Sequence, residues 1–151
     1  MSEEGAVGIA EIAREELPVL EQLDRLSGLP PWSLQDYQKF WSERNALILV
    51  TGGVACPVGF VCGRSVGWEA EILRLAVIEK YRCRGVGGRL VQQFLVRVKK
   101  KGCQSVYLDV RESNDTAIQL YASCGFRVVG RREGYYRHPI EDALLMAKQT
   151  L

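Results

Sequence analysis

The run Arg82-Cys83-Arg84-Gly85-Val86-Gly87-Gly88-Arg89-Leu90 combines two residue types that suit a bound phosphate. The three arginines bring full positive charge. Gly85, Gly87 and Gly88 leave the backbone uncovered, so a ligand can approach it closely. A strand-like apolar run over residues 72–78 precedes this stretch, and a helix-like run from Val86 to about Lys101 follows it. A helix begun in this way aims its free first-turn N–H groups and the positive end of its dipole at an anion. Two common phosphate loops are excluded. No Gly-Lys-Ser/Thr tripeptide occurs, so there is no P-loop. A dinucleotide fingerprint starting at Gly85 would need glycine at position 90, which is Leu90. What remains is R-x-x-G-x-G over residues 82–87, beside the plainer reading of a glycine turn before a helix.

Other groups could do chemistry further along. Val106, Leu108 and Val110 alternate with Tyr107, Asp109 and Arg111, which puts Asp109 on the polar face of a strand. Taken alone it reads as an exposed carboxylate or an ion-pair partner of Arg111. Glu69 and Glu71 are rival carboxylates on the neighbouring strand. Tyr121 follows Leu120 in a helical stretch and faces inward, as a core tyrosine would. Asn114 is placed to cap that helix. His138 is the only histidine, and no nucleophile elbow accompanies it. Five cysteines without a C-x-x-C pair, and one histidine, support neither a disulfide framework nor a metal site.

The elements that carry these groups follow from spacing. A strand is expected over residues 7–12. Leu17, Leu20, Leu23 and Leu26 predict a helix over 14–26, stopped by Ser27-Gly28. Pro30-Pro31-Trp32-Ser33 is a rigid turn, and Ser33 N-caps a second helix through Trp41. Residues 46–51, 58–64 and 69–78 read as three strands joined by glycine turns, hence an antiparallel meander. Val86, Leu90, Val91, Phe94, Leu95 and Val98 make the apolar face of the helix after the glycine turn. It ends in Lys99-Lys100-Lys101 before Gly102, where cations favour the dipole. After the Asp109 strand come a helix over 116–124 and strands over 126–131 and 143–148 around a polar loop. The order is β-α-α-β-β-β-α-β-α-β-β, an α/β layer on a mixed sheet.

The chain has 151 residues, 47% hydrophobic and 25% charged, with net charge +2. That composition suits one globular domain over residues 1–151 and gives no bulk argument for nucleic acid. No apolar run is long enough to span a bilayer. Met1-Ser2-Glu3-Glu4 lacks the basic and apolar regions of a signal peptide, and the cysteine usage fits a reducing compartment, so a cytoplasmic protein is expected.

The R-x-x-G-x-G turn resembles the acetyl-coenzyme A pyrophosphate loop of the GNAT N-acetyltransferase superfamily, and the element order is that of its fold. Within it, the chain resembles the RimI-like bacterial N-terminal acetyltransferases in further blocks. Pro31-Trp32-Ser33 is similar to their Pro-Trp-Ser turn. Tyr107-Leu108-Asp109-Val110-Arg111, Asn114 and Leu120-Tyr121-Ala122-Ser123-Cys124-Gly125-Phe126 are similar to L-E-V-R…N…L-Y-x-x-x-G-F. Arg131-Arg132-Glu133-Gly134-Tyr135-Tyr136 with Glu141-Asp142-Ala143 is similar to R-x-x-Y-Y…E-D-A. One departure is that the family's catalytic glutamate matches Asp109.

The resemblance implies a fold and an activity. The fold is a single mixed, mostly antiparallel sheet of about seven strands flanked by about four helices. The activity is acetyl transfer from acetyl-coenzyme A, without a metal, to the N-terminal α-amine of a protein. The acceptor it implies is the N-terminal alanine of a small-subunit ribosomal protein. It casts Asp109 as general base and Tyr121 as general acid for the departing thiolate. The shorter aspartate loses roughly 1.5 Å of reach, which a water relay would restore. Leu75, Ala76 and Val77 would offer backbone to the pantetheine arm where two strands splay. Arg82, Cys83, Arg84, Gly85, Val86, Gly87 and Gly88 would hold the pyrophosphate, and Asn114 would touch the cofactor. Pro31, Trp32, Tyr135 and Tyr136 would wall the acceptor groove. Acetylation of lysine side chains or small amines is the alternative within the fold, and a silent acyl-coenzyme A-binding module the alternative outside catalysis.

Overall fold

The computed structural model describes residues 8–53 and 55–151. Its elements run β1 (Ile9–Glu11), α1 (Pro18–Asp24), α2 (Leu34–Trp41), β2 (Ala46–Thr51), β3 (Gly59–Val66), β4 (Glu69–Val77), α3 (Val86–Lys100), β5 (Ser105–Arg111), α4 (Asp115–Ser123), β6 (Arg127–Tyr136) and β7 (Glu141–Lys148). The order matches the expectation from sequence. The expected start of the first strand, Val7, lies outside the described residues. Among the described residues no helix is long and apolar enough to cross a membrane.

The seven strands form one sheet in the order β1-β2-β3-β4-β5-β7-β6. Only β4 and β5 are parallel; the other neighbours are antiparallel, including the β2-β3-β4 meander. Alternation sends the side chains of β2 to two cores. Leu47 and Leu49 pack with Leu90, Val91 and Phe94 of α3. Ile48 and Val50 pack with Leu20 and Leu23 of α1 and with Tyr37 and Phe40 of α2. Thus α3 covers one face, and α1 with α2 covers the other. All six residues of the expected α3 stripe are buried, each worth roughly 1.5–3 kcal/mol relative to exposure.

Two boundaries differ from the spacing argument. The expected helix over 14–26 is broken into a 3₁₀ turn at Arg14–Glu16, α1, and a second 3₁₀ turn at Arg25–Ser27. Pro18 stands at the start of α1; it has no N–H to continue a helix from Arg14, but suits a helix's first turn. Gly28, at φ 73°, ends the segment as expected. The last two strands are longer than expected because β6 is an edge strand, exposed along most of its length. With neither face buried, it shows no alternation to read.

A bulge in β4 matters most for function. The β3–β4 register passes from Cys62↔Arg74 to Gly63↔Ile72, which leaves Leu73 unpaired. One extra residue exchanges the two faces of a strand. Ala70 and Ile72 therefore join the α3 core, while Ala76 joins the core of α1 and α2. The pairing of β4 with β5 covers only Glu69–Glu71 against Ser105–Tyr107. Beyond it the two strands part, and a cleft opens between them.

Candidate active site

Two cavities meet in this cleft. The larger, about 610 Å³, has Glu71, Tyr107, Asp109 and Leu145 along the sheet. Leu29, Pro30 and Trp32 stand on one side, and Tyr135, Tyr136, Arg137 and His138 on the other. The smaller, about 130 Å³, runs between Ile72–Leu75 and Leu108–Arg111 towards Asn114, Ala117 and Tyr121. Asp109 and Tyr136 line both; Tyr121 lines only the smaller. The structure therefore sets the carboxylate at the junction and the phenol in the narrow arm.

Asp109 emerges on the polar face of β5, opposite the buried Val106, Leu108 and Val110. Its partner is Arg132 of β6, whose Nε donates to Oδ1 at 2.9 Å. The pairing with Arg111 expected from local spacing does not form, because Arg111 turns to Glu141. Of the rival carboxylates, Glu71 shares the larger cavity but takes a hydrogen bond from Arg64 Nε at 2.7 Å. Glu69 is exposed and lines a neighbouring depression instead. Tyr121 is buried beneath α4 and packs edge-on to Phe126. Burial lifts its phenol above the ordinary range, so the hydroxyl keeps its proton. Tyr136 is likewise pushed up to about 12, by burial first and then by the charge of Asp109.

The glycine turn takes the expected shape, with one correction. Gly85 caps α3 at φ 79°, and the adjoining Cys83 is also left-handed at φ 61°. The first-turn amides of α3 have no partner within the helix. A Cβ on Gly88 would meet nothing within 4 Å, so the backbone there is open to a ligand. Gly87 differs: a Cβ would lie 2.7 Å from Leu120 Cδ1. Its missing side chain serves the contact between α3 and α4, not the approach of a ligand. Val86 is also core, so only its backbone can face a ligand. Arg82 folds back to the Val77 carbonyl at 3.0 Å, and the Arg84 guanidinium lies 5.6 Å over the Tyr81 ring. Leu75 lines the narrow arm, whereas Ala76 is buried on the α1 side and Val77 packs towards α3. Asn114 caps α4 by accepting from Ala117 N at 3.1 Å.

The groove walls rest on residues that spacing did not single out. Arg74, 5% exposed, pairs with Asp24, 2% exposed, at 2.9 Å. It also donates to the Pro30 carbonyl and stacks 4.4 Å over the Trp32 ring. Asp24 further accepts from Trp32 N at 2.9 Å and from the Tyr37 hydroxyl. Trp32 is thereby held with one ring face inward, and Pro30, not the expected Pro31, borders the cavity. A signal existed: an arginine inside the apolar run Leu73-Arg74-Leu75 demands a buried partner. Its partner could not be found by spacing.

A cleft between parted parallel strands, with a carboxylate where a broad groove meets a narrow arm, suits a thioester cofactor meeting an amine. The acetyltransferase (GNAT) family matches residues 9–126. The ribosomal protein bS18-alanine N-acetyltransferase of Haemophilus influenzae is 30% identical over 144 residues, covering 92% of this chain and 96% of that protein. The crystal structure of the ribosomal-protein-S18-alanine N-acetyltransferase from Escherichia coli has a TM-score of 0.85 at 26% identity, covering 96% of this chain and 95% of that one. Ard1 from Thermoplasma volcanium has a TM-score of 0.83 at 29% identity, covering 97% and 99%. The family match over most of the chain, with the shared fold, means that this chain belongs to the acetyltransferase (GNAT) family.

Proposed function

We propose that this protein transfers the acetyl group of acetyl-coenzyme A to the free α-amine of a protein N-terminus. The acceptor we favour is the N-terminal alanine of a small-subunit ribosomal protein. The observation that carries this reading is the position of Asp109 where a narrow arm meets a broad, aromatic-sided groove. The narrow arm suits a thioester and the broad groove suits a chain end. The relatives named for acetylation of a ribosomal-protein alanine support that choice of acceptor.

The first-turn amides of α3, with Gly85 and Gly88, suit the pyrophosphate of the cosubstrate. The unpaired edge of β4 from Ile72 onward suits its arm. An ammonium arriving at Asp109 displaces Arg132, a like charge on a half-exposed side chain. Asp109 takes its proton, through a water where the shorter side chain falls short. The neutral amine attacks the thioester carbonyl; a carbon–nitrogen bond forms as the carbon–sulfur bond breaks. The nitrogen then loses its second proton to solvent, and the departing thiolate takes a proton from the Tyr121 hydroxyl, which regains one from solvent. Burial makes the phenol a weaker acid than a free phenol near ~10, so it holds its proton until the thiolate forms. An α-amine suits a carboxylate base. With pKa near ~8 against ~10.4 for lysine, it is neutral about two orders of magnitude more often at pH 7.

The test offers an alanine-starting ribosomal peptide beside the same peptide blocked at its N-terminus and carrying a lysine. Coenzyme A release with the free N-terminus is expected. Faster release with the blocked peptide would move the reading to lysine or small amines. Thermal stabilisation by acetyl-coenzyme A with no release from any amine would make the protein a binding module.

A further inference from the structure

Arg111 ends the strand that carries Asp109, yet its ion-pair partner is Glu141, while Asp109 pairs with Arg132. It reaches across to the β6–β7 turn. Its Nη1 donates to the Pro139 carbonyl and to Glu141 Oε1, each at 3.3 Å, and its Nη2 donates to the Arg137 carbonyl at 3.3 Å. Its guanidinium carbon lies 4.4 Å over the Tyr136 ring. Glu141 closes the arrangement by accepting from Ser113 N at 2.6 Å, next to Asn114. Asp142 adds a second tie within the hairpin, accepting from Gly134 N at 2.9 Å and from Arg131 at 3.1 Å. The turn so held presents Tyr136, Arg137 and His138 to the larger cavity.

From this geometry we infer that Arg111 is a positioning residue for the acceptor. It fixes the outer wall of the groove at the level of Asp109, so that an arriving chain end meets a preset surface. This rests on the acceptor reading above. The planar fork is what the task needs: one guanidinium serves two carbonyls and a carboxylate while stacking on a ring. A lysine ammonium has three donors at one point and cannot span these acceptors together. The motif pieces Arg111, Glu141 and Asp142 thereby gain a shared purpose, holding one turn against β5.

The experiment uses Arg111→Gln and Arg111→Lys in the full chain. Two readouts separate positioning from general support. The first needs no acceptor: the rate of tryptic cleavage after Arg137, read by mass spectrometry against the other arginine sites. It should rise about tenfold in Arg111→Gln, as the loss of one net hydrogen bond allows, and by less in Arg111→Lys. The second is kinetic. KM for the alanine-starting peptide should rise about tenfold, with kcat changed far less and acetyl-coenzyme A affinity unchanged. Unaltered cleavage after Arg137, or unaltered peptide KM, overturns the inference. So does a parallel fall in acetyl-coenzyme A affinity, which would make Arg111 a cofactor contact or an ordinary structural residue. If the unsubstituted protein leaves the peptide unmodified, the acceptor reading fails by itself. The cleavage rate then still decides whether Arg111 holds the turn.

Discussion

The two walls of the groove are each pinned by an arginine, but in different surroundings. The α1–α2 wall hangs on Arg74, which is buried with Asp24 and Tyr37 beneath the partly exposed Trp32. The β6–β7 wall hangs on Arg111, 18% exposed, paired with Glu141, 17% exposed. A buried pair gains little by itself, because both charges lose their water. Breaking it is costly, because the remaining charge stays buried. A pair that keeps some contact with water costs less to break, because water replaces part of what is lost. One wall is therefore part of the fold, and the other is a tie that one substitution can loosen without unfolding the protein.

The largest effect expected follows from breaking the buried wall. Arg74→Met leaves the Asp24 carboxylate without its cation and should cost about 3–5 kcal/mol in denaturant unfolding. Adding Asp24→Leu and Tyr37→Phe should restore much of that stability, since an apolar core replaces the stranded charge. A loss below about 1 kcal/mol in the single variant would mean that the two walls do not differ in kind.

The proposed base and acid, Asp109 between the walls and Tyr121 in the narrow arm, should show their effect in rate and not in stability. Tyr121→Phe keeps the ring against Phe126 and should lower turnover by roughly 10²–10⁴. Its melting temperature and acetyl-coenzyme A affinity should stay near those of the unsubstituted protein. Asp109→Asn should behave similarly, and Asp109→Glu should remain active. Near-normal turnover in Tyr121→Phe would return that residue to packing. Full activity in Asp109→Asn, with its loss in Glu71→Gln, would move the base to β4.

At the start of α3, adjacent glycines allow the same contrast between structure and ligand. Gly87→Glu would push a side chain into Leu120 and should destabilise the protein. Gly88→Glu meets open space, so it should leave the melting temperature alone while sharply weakening acetyl-coenzyme A binding. Calorimetry that finds unchanged affinity in Gly88→Glu would remove the phosphate from this turn.

The smallest effect should separate the walls by pH. The Glu141 carboxyl is held below its usual range by hydrogen bonds from Ser113, and that of Asp142 by the Gly134 amide and then Arg131. A lowered pKa means that the ionised form is favoured by folding. The support is then complete above the unfolded carboxylate values near ~4 and is lost as pH falls through the folded values beneath them. Acidification in that window should raise the mobility of the β6–β7 turn, followed by NMR relaxation of Arg137 and His138. Equal loosening at every pH would show that Glu141 and Asp142 do not hold this wall.

Much of the molecule was readable from its residues. Leucine spacing, the Ser33 and Asn114 caps, glycine turns and strand alternation announced all eleven elements in order, because each is a signal within a few neighbouring residues. The resemblance of the motif blocks to the N-acetyltransferases then pointed to Asp109, Tyr121 and the glycine turn. The folded chain decided the rest. Ile72 and Arg74 look like alternate members of one strand face, but the bulge at Leu73 sends them to opposite sides of the sheet. Gly87 looks like its neighbour Gly88 until Leu120 is packed against it. Asp109 has Arg111 two residues away in the chain, yet its partner is Arg132 on another strand. Arg74 and Asp24 lie fifty residues apart and meet only when α1 lies over β4. Helix periods, caps and turns come from interactions among neighbours in the chain, so the sequence alone determines them. Buried partners and strand register depend on which distant surfaces the collapsed chain brings together, and only the tertiary structure decides that.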